Sequence, residues 1–273
     1  MQLLLHQKQA RISQVLFKLR RYLSLINEYL QLIARAIFYF FRSIAYILNL
    51  KLFIPNFISY ANNLICSVTL PTMTIAAAIG VVIAVQLGPQ FVSKGVGAKL
   101  GILTLLTMSR ELVPILGGFM LATQYGTALT AEIANMKITE QLDALKIFKV
   151  SPSFYMITPA MSAATLLTPL IFWLAVLTGT LSTYITVSFN ENLSWTAFLS
   201  GIIDYYTLND ALLCLFKAML FAILVVIIAA TIGLNVRGGG AREVGKATTA
   251  TVITCFIFVI IFDFIVTMSF LDL

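Results

Sequence analysis

Histidine and charge are both scarce in this chain. A single histidine, His6, among 273 residues excludes a multi-histidine metal site. Asp, Glu, Lys and Arg make up only 11% of the sequence against 60% hydrophobic residues, far from the balance of a soluble domain, so the chain reads as a polytopic membrane protein. The three cysteines, Cys66, Cys214 and Cys255, sit in apolar segments without CxxC or Cys/His spacing and read as small core residues. No nucleophile-base set and no His/Asp cluster accompanies the charges inside the apolar segments. This argues against a lipid-modifying enzyme working through Arg110, Glu111 and Asp263. The two halves show no internal repeat, which weakens an ion-coupled carrier. No small-residue cleavage site follows an apolar core near the start, so no cleavable signal is expected.

The net charge of +7 alone would suit nucleic acid, but eight of the eighteen Lys and Arg fall in the first 51 residues, beside the first apolar run. That placement fits attraction to anionic lipid, and no nucleic-acid motif goes with it. Residues 1–62 form a basic amphipathic region. Leu16, Leu19, Leu23, Ile26, Leu30, Ile33, Ile37, Phe40, Ile44 and Ile47 alternate three- and four-residue steps, with Arg21, Glu28, Arg35 and Arg42 opposite. The pattern suits a coiled coil, and the widening by Phe38, Tyr39 and Phe41 suits a helix lying in the membrane interface.

Five spans are expected, at about 64–87, 100–131, 154–187, 211–234 and 247–270, each long enough to cross a hydrocarbon core of about 30 Å. Pro71 is a candidate kink in the first, and Gly88-Pro89 is expected to end it. Pro159 and Pro169 interrupt the third. The 188–210 segment holds Glu191, Asp204 and Asp210 but no Lys or Arg, and should face away from the cytoplasm as an acidic loop. Lys137, Lys146, Lys149, Arg237, Arg242 and Lys246 then lie inside, with Lys94 and Lys99 as exceptions. Within the second span, Gly118, Ala122, Gly126, Thr130 and Ala134 recur every fourth position as a smooth stripe for helix packing. Arg110 and Glu111 lie at membrane depth, where a charge costs about 2.5–3.5 kcal/mol, so each needs a partner or a wet cavity. Neighbours about 100° apart on a helix do not satisfy each other, so the partners are expected elsewhere in the bundle or across a dimer. Asp263 in the last span needs a partner too.

Between the second and third spans, 137–149 reads as a short amphipathic helix. Ile138, Leu142, Leu145 and Phe148 share one face, Thr139 is the expected N-cap, Glu140, Gln141 and Asp143 complement the positive end of the dipole, and Pro152 stops it. It can serve as a surface loop or as a docking helix for a soluble partner. Gly240-Ala241-Arg242-Glu243-Val244-Gly245-Lys246 matches GxxxxGK, but Ala247 stands where a phosphate loop needs Ser or Thr, and the run lies between two spans. It is not a nucleotide site.

Three ordered motifs, Ser109-Arg110-Glu111-Leu112-Val113-Pro114, Gly126-Thr127-Ala128-Leu129-Thr130-Ala131-Glu132-Ile133 and Met136-Lys137-Ile138-Thr139-Glu140-Gln141-Leu142-Asp143-Ala144-Leu145, resemble the signature of the MlaE family. The run from Gly239 to Thr249, with Asp263 downstream, resembles its carboxy-terminal signature. The family's members are membrane permease subunits of ABC systems that move lipids between membranes. The resemblance implies an all-α permease domain over 63–273 preceded by an interfacial elbow helix, with 137–149 as the coupling helix. It implies a homodimer, a cytoplasmic ABC ATPase that holds the ATP and Mg, an MCE-domain lipid-binding protein on the opposite face, and a phospholipid substrate. Glu132, Lys137, Glu140, Gln141, Leu142, Asp143 and Leu145 would then couple to the ATPase, and Arg110, Glu111 and Leu112 would border the lipid path. No cofactor is expected in this chain, and the membrane would be a bacterial inner membrane or a plastid inner envelope. Two residue pairs depart from the family pattern: Thr123-Gln124 replaces Gly-Arg, removing a fixed cation, and Ala134-Asn135 replaces Gly-Thr. An ATPase-independent carrier or scaffold is the rival reading.

Overall fold

The computed structural model describes residues 50–148, 150–151, 153–236, 238 and 240–271. The amino-terminal heptad, Lys149, Pro152, Arg237 and Gly239 lie outside the described residues. Among the described residues the chain is helical throughout, and five of its helical segments are long and apolar enough to cross a membrane. Consecutive crossings alternate in direction, which puts the turns after the second and fourth spans at one end of the bundle and those after the first and third at the other.

Helix α1, Leu50–Ser93, buries one residue in four: Tyr60, Leu64, Val68, Thr72, Ala76, Gly80, Ala84 and Gly88. It was expected to stop at Gly88-Pro89. Instead it runs through Pro89, since one missing donor removes only one bond of the ladder. The stop is Gly95, at φ 71°, where the Val96 and Gly95 N–H groups return to the carbonyls of Phe91 and Val92 at 2.9 Å each. The buried ridge of α1 lies along α4, Thr158–Glu191, which is preceded by a π-helical turn, Ser153–Ile157. Small residues let the two backbones meet. The Ser182 hydroxyl donates to the Ala77 carbonyl at 2.8 Å and the Thr183 hydroxyl to the Gly80 carbonyl at 2.9 Å. A Cβ on Gly80 would overlap the Gly179 carbonyl oxygen and the Ser182 hydroxyl, and backbone cannot give way as a side chain can. Gly80→Ala is therefore expected to cost about 1–3 kcal/mol, read as a lower melting temperature in detergent. Gly245→Ala, with nothing within 4 Å, should leave the melting temperature unchanged or raise it.

Helix α2 is continuous over Ala98–Ile138 but contains two π-helical turns, Met108–Leu112 and Ala122–Gly126. It passes the expected end near 131. All five small residues of its stripe are buried, facing helices α6, Leu208–Leu234, and α7, Ala241–Leu271. A Cβ on Gly118 would come 3.1 Å from Val259 and 3.3 Å from Phe221, and one on Gly126 3.0 Å from Val225. The Thr130 and Thr251 hydroxyls meet at 2.8 Å.

Helix α3 is shorter than the expected 137–149 and covers Gln141–Ile147. Residues 137 and 138 belong to α2, and the break is Glu140, in the left-handed region at φ 59°. Thr139 is not the N-cap. Its hydroxyl donates back to the Asn135 carbonyl at 2.9 Å, closing α2 instead. Because the helix ends at Ile147, Phe148 does not share the buried face of Leu142.

The expected acidic loop 188–210 is largely helical. Helix α4 extends to Glu191, α5 covers Trp195–Tyr205 with the Ser194 hydroxyl as N-cap, and Asp210 already lies in α6. Phe198 and Gly201 of α5 are buried, with Gly201 and Gly101 placed where a Cβ would strike the opposite backbone.

Candidate functional site

Arg110 and Glu111 sit in the first π-helical turn of α2, where the Val113 N–H reaches back five residues to the Met108 carbonyl. Such wide turns re-aim side chains and recur at functional sites. The two charges find separate partners. Arg110 Nε donates to Asp210 Oδ1 at 2.7 Å, and Nη2 donates to the same oxygen. The other Asp210 oxygen accepts from the Thr207 N–H at 3.1 Å and the Thr207 hydroxyl at 2.7 Å, so a capping box at the start of α6 fixes the carboxylate.

Glu111 joins a second group around Lys217, whose side chain is completely buried. The Lys217 ammonium donates to the Arg110 carbonyl at 2.6 Å and to the Thr267 hydroxyl at 2.7 Å, pairs with Asp263 at 2.7 Å and lies 3.4 Å from Glu111. The Thr267 hydroxyl donates to Glu111 at 2.9 Å. Four acceptors around one buried ammonium offset the loss of its water, which burial alone would not permit. The partner expected for Asp263 is thus Lys217, which the sequence reading passed over. The signal was present: Lys217 is the one charged residue between 211 and 234, and the cost rule that singled out Arg110 applies to it equally.

Next to this network lies a cavity of about 280 Å³ lined by Arg110, Thr207, Asn209, Asp210, Leu213, Thr267 and Phe270. Leu112 is not part of it. Leu112 lines a crevice of about 10 Å³ between α1 and α2, with Thr72, Ile79 and Met120, room for a water at most. Of the three residues assigned to a lipid path, the structure therefore brings Arg110 to the cavity, sets Glu111 behind it through Thr267, and separates Leu112.

At the opposite end of the bundle, α3 buries Leu142 and half-buries Leu145, while Glu140, Gln141, Asp143 and Lys146 are exposed and Lys137 is half-buried. Asp143 pairs with Lys146 at 2.7 Å, and this hydrogen bond and the nearby cations hold its carboxyl below the usual carboxylate range. Ile147 and Phe148 are 80% and 78% exposed. Glu132 is apart from this surface. It lies within α2 and accepts from the Tyr60 hydroxyl of α1 at 3.1 Å. The Asn56 amide donates to the Tyr155 carbonyl at 3.1 Å and the Tyr125 hydroxyl to the Ala160 carbonyl at 3.0 Å, tying α1 and α2 to the start of α4.

The family model described as Permease MlaE matches residues 57–269. Among curated proteins, the chain is 32% identical over 189 residues to a "Probable ABC transporter permease protein" of Synechocystis, covering 69% of this chain and 72% of that one. It is 32% identical over 195 residues to the ycf63 protein of Pyropia yezoensis, which carries the same description, covering 71% and 73% respectively. A "Probable ABC transporter permease protein" of Rickettsia typhi is 32% identical over 188 residues, 69% of this chain and 72% of its own.

Proposed function

The chain belongs to the MlaE permease family, and from that premise we propose that it is the membrane subunit through which a separate ATPase drives phospholipid movement between membranes. The observation that carries the coupling half of this reading is α3. A seven-residue helix, set off from α2 by a left-handed residue, buries Leu142 in the bundle and turns Ile147, Phe148 and a charged pair outward. A helix rooted on one side and bare on the other can pass a push from a soluble partner into the spans. ATP and Mg belong to that partner. The cavity beside Arg110, at the opposite end, is the part of the lipid path that this chain contributes, and a second copy completes the path. An MCE-domain protein would meet the chain on the α5 side. The membrane is the bacterial inner membrane or its counterpart in the plastid envelope.

The test is co-purification from membranes in mild detergent, comparing the native chain with Glu140→Lys plus Asp143→Lys. The expected result is an ATPase subunit that accompanies the native chain and is lost from the variant. If no ATPase accompanies either, the chain works as an ATPase-independent carrier or scaffold and the proposal fails.

A further inference from the structure

The cavity beside Arg110 holds a cation and a carboxylate side by side, and its charges do not favour an anion. Arg110 is 41% exposed, and the Asp210 carboxylate is paired to it. Behind this pair stand Lys217, Glu111 and Asp263. Two cations thus face three carboxylates, a formal excess of one negative charge. A headgroup that brought only a phosphate would add a second uncompensated negative charge beside the buried Asp210, where like charges cost more than in open water. A headgroup that brought a phosphate together with an ammonium would add none. The phosphate can take Arg110, a planar fork suited to phosphate oxygens, and the ammonium can take the Asp210 carboxylate that the phosphate displaces.

Three further features match such a ligand. The pair with Asp210 uses Nε and Nη2 of Arg110 and not Nη1, so the guanidinium is not saturated by its partner. Asn209 and Thr207 add neutral polar atoms to the wall, suited to the hydrogen bonds of a primary ammonium. At about 280 Å³ the cavity holds a headgroup and not a whole lipid, and Phe270 on its wall stacks obliquely on Phe216, centroids 6.2 Å apart, giving acyl chains an apolar rim.

We propose that this cavity selects phospholipids whose headgroup is a zwitterion with a primary ammonium, phosphate on Arg110 and ammonium on Asp210, over lipids with a net negative headgroup. The proposal rests on the reading of Arg110 as part of the lipid path, and makes Asp210 the residue that sets specificity. Selection works by exclusion, since the wrong headgroup leaves a carboxylate without its cation.

The experiment uses the full chain with whatever subunits accompany it, reconstituted in nanodiscs of equal phosphatidylethanolamine and phosphatidylglycerol, with bound lipid counted by mass spectrometry. The native protein should retain phosphatidylethanolamine over phosphatidylglycerol by about tenfold. Asp210→Asn should lower or invert that ratio. Asn209→Asp, which adds a negative charge to the same wall while keeping Asp210 in place, should raise it, so the proposal stays testable even if the first variant folds poorly. Retention of both lipids alike, lost together in Arg110→Gln, overturns the selectivity while leaving the lipid path intact. Retention of neither lipid by the native chain, unchanged in Arg110→Gln, overturns both. Added glycerophosphoethanolamine separates the sources of the headgroup: lipid that stays bound supports a lipid ligand, and complete displacement overturns it in favour of a soluble phosphoamine.

Discussion

Lys217→Met is expected to destabilise the protein by about 3–5 kcal/mol, the cost of leaving buried charge without its partner. The native ammonium has no exposure and is surrounded by the Arg110 carbonyl, Thr267, Asp263 and Glu111. Methionine fills nearly the same volume, so the loss falls on electrostatics and not on packing. Asp263 is itself almost fully buried, and without Lys217 no other cation lies in contact with it among the described residues. The deficit should appear as a sharply reduced melting temperature and yield in detergent. Asp263→Asn alone should cost less, because Lys217 keeps three other acceptors. Combining the two substitutions should recover much of the loss, since the double variant removes charge of both signs, and the coupling between the sites is the quantity a double-mutant cycle isolates. A Lys217→Met protein that melts with the native one would mean that the ammonium does not hold α2, α6 and α7 together.

The five spans were legible because long apolar runs are a strong signal, and so were Arg110, Glu111 and Asp263 of the five charges in this network, because a charge inside such a run demands a partner; Lys217 carried the same signal. The pairings were not legible. Arg110 and Asp210 are 100 positions apart, and nothing in one sequence ties two such residues together. The net negative charge of 188–210 suggests a loop that includes Asp210 and masks the Thr207–Asp210 capping box that starts α6. The same averaging hid α5, although Ser194 before Trp195 and Phe198 is an ordinary helix start. Helix ends failed for a different reason. Gly88-Pro89 carries a breaker signal, yet a proline in a long apolar helix forfeits one bond and leaves the flanking turns intact, so the helix ended only where Gly95 took a positive φ. The five residues of the stripe from Gly118 to Ala134 are all buried, so the period of four persists across the π-helical turn at Ala122–Gly126.

Ile147→Asp plus Phe148→Asp is expected to abolish association with the proposed ATPase while leaving the melting temperature of the isolated chain unchanged. The separation follows from the two sides of α3. Leu142 is 2% exposed and packs into the main core, so a change there damages the fold before it reports on any partner. Ile147 and Phe148 lie at the other extreme, and exposed apolar side chains contribute little to the stability of a monomer. Where such side chains are the anchors of an interface they contribute about 2 kcal/mol or more each, so replacing both with carboxylates should weaken binding by about a thousandfold. The control is Leu142→Ala, which should lower the melting temperature by an amount equivalent to about 2–5 kcal/mol, the usual cost of opening a cavity under a buried leucine. Titrating the purified ATPase onto native and doubly substituted chain in nanodiscs, beside melting curves for both, reads the two effects separately. Unchanged ATPase affinity would assign Ile147 and Phe148 to the membrane interface instead, where an apolar pair at the end of a short helix would insert among the headgroups. Loss of affinity with an intact fold would make α3 the point where force enters the bundle, with the Tyr60–Glu132 and Asn56–Tyr155 contacts as the first links that carry it from α2 and α4 into α1.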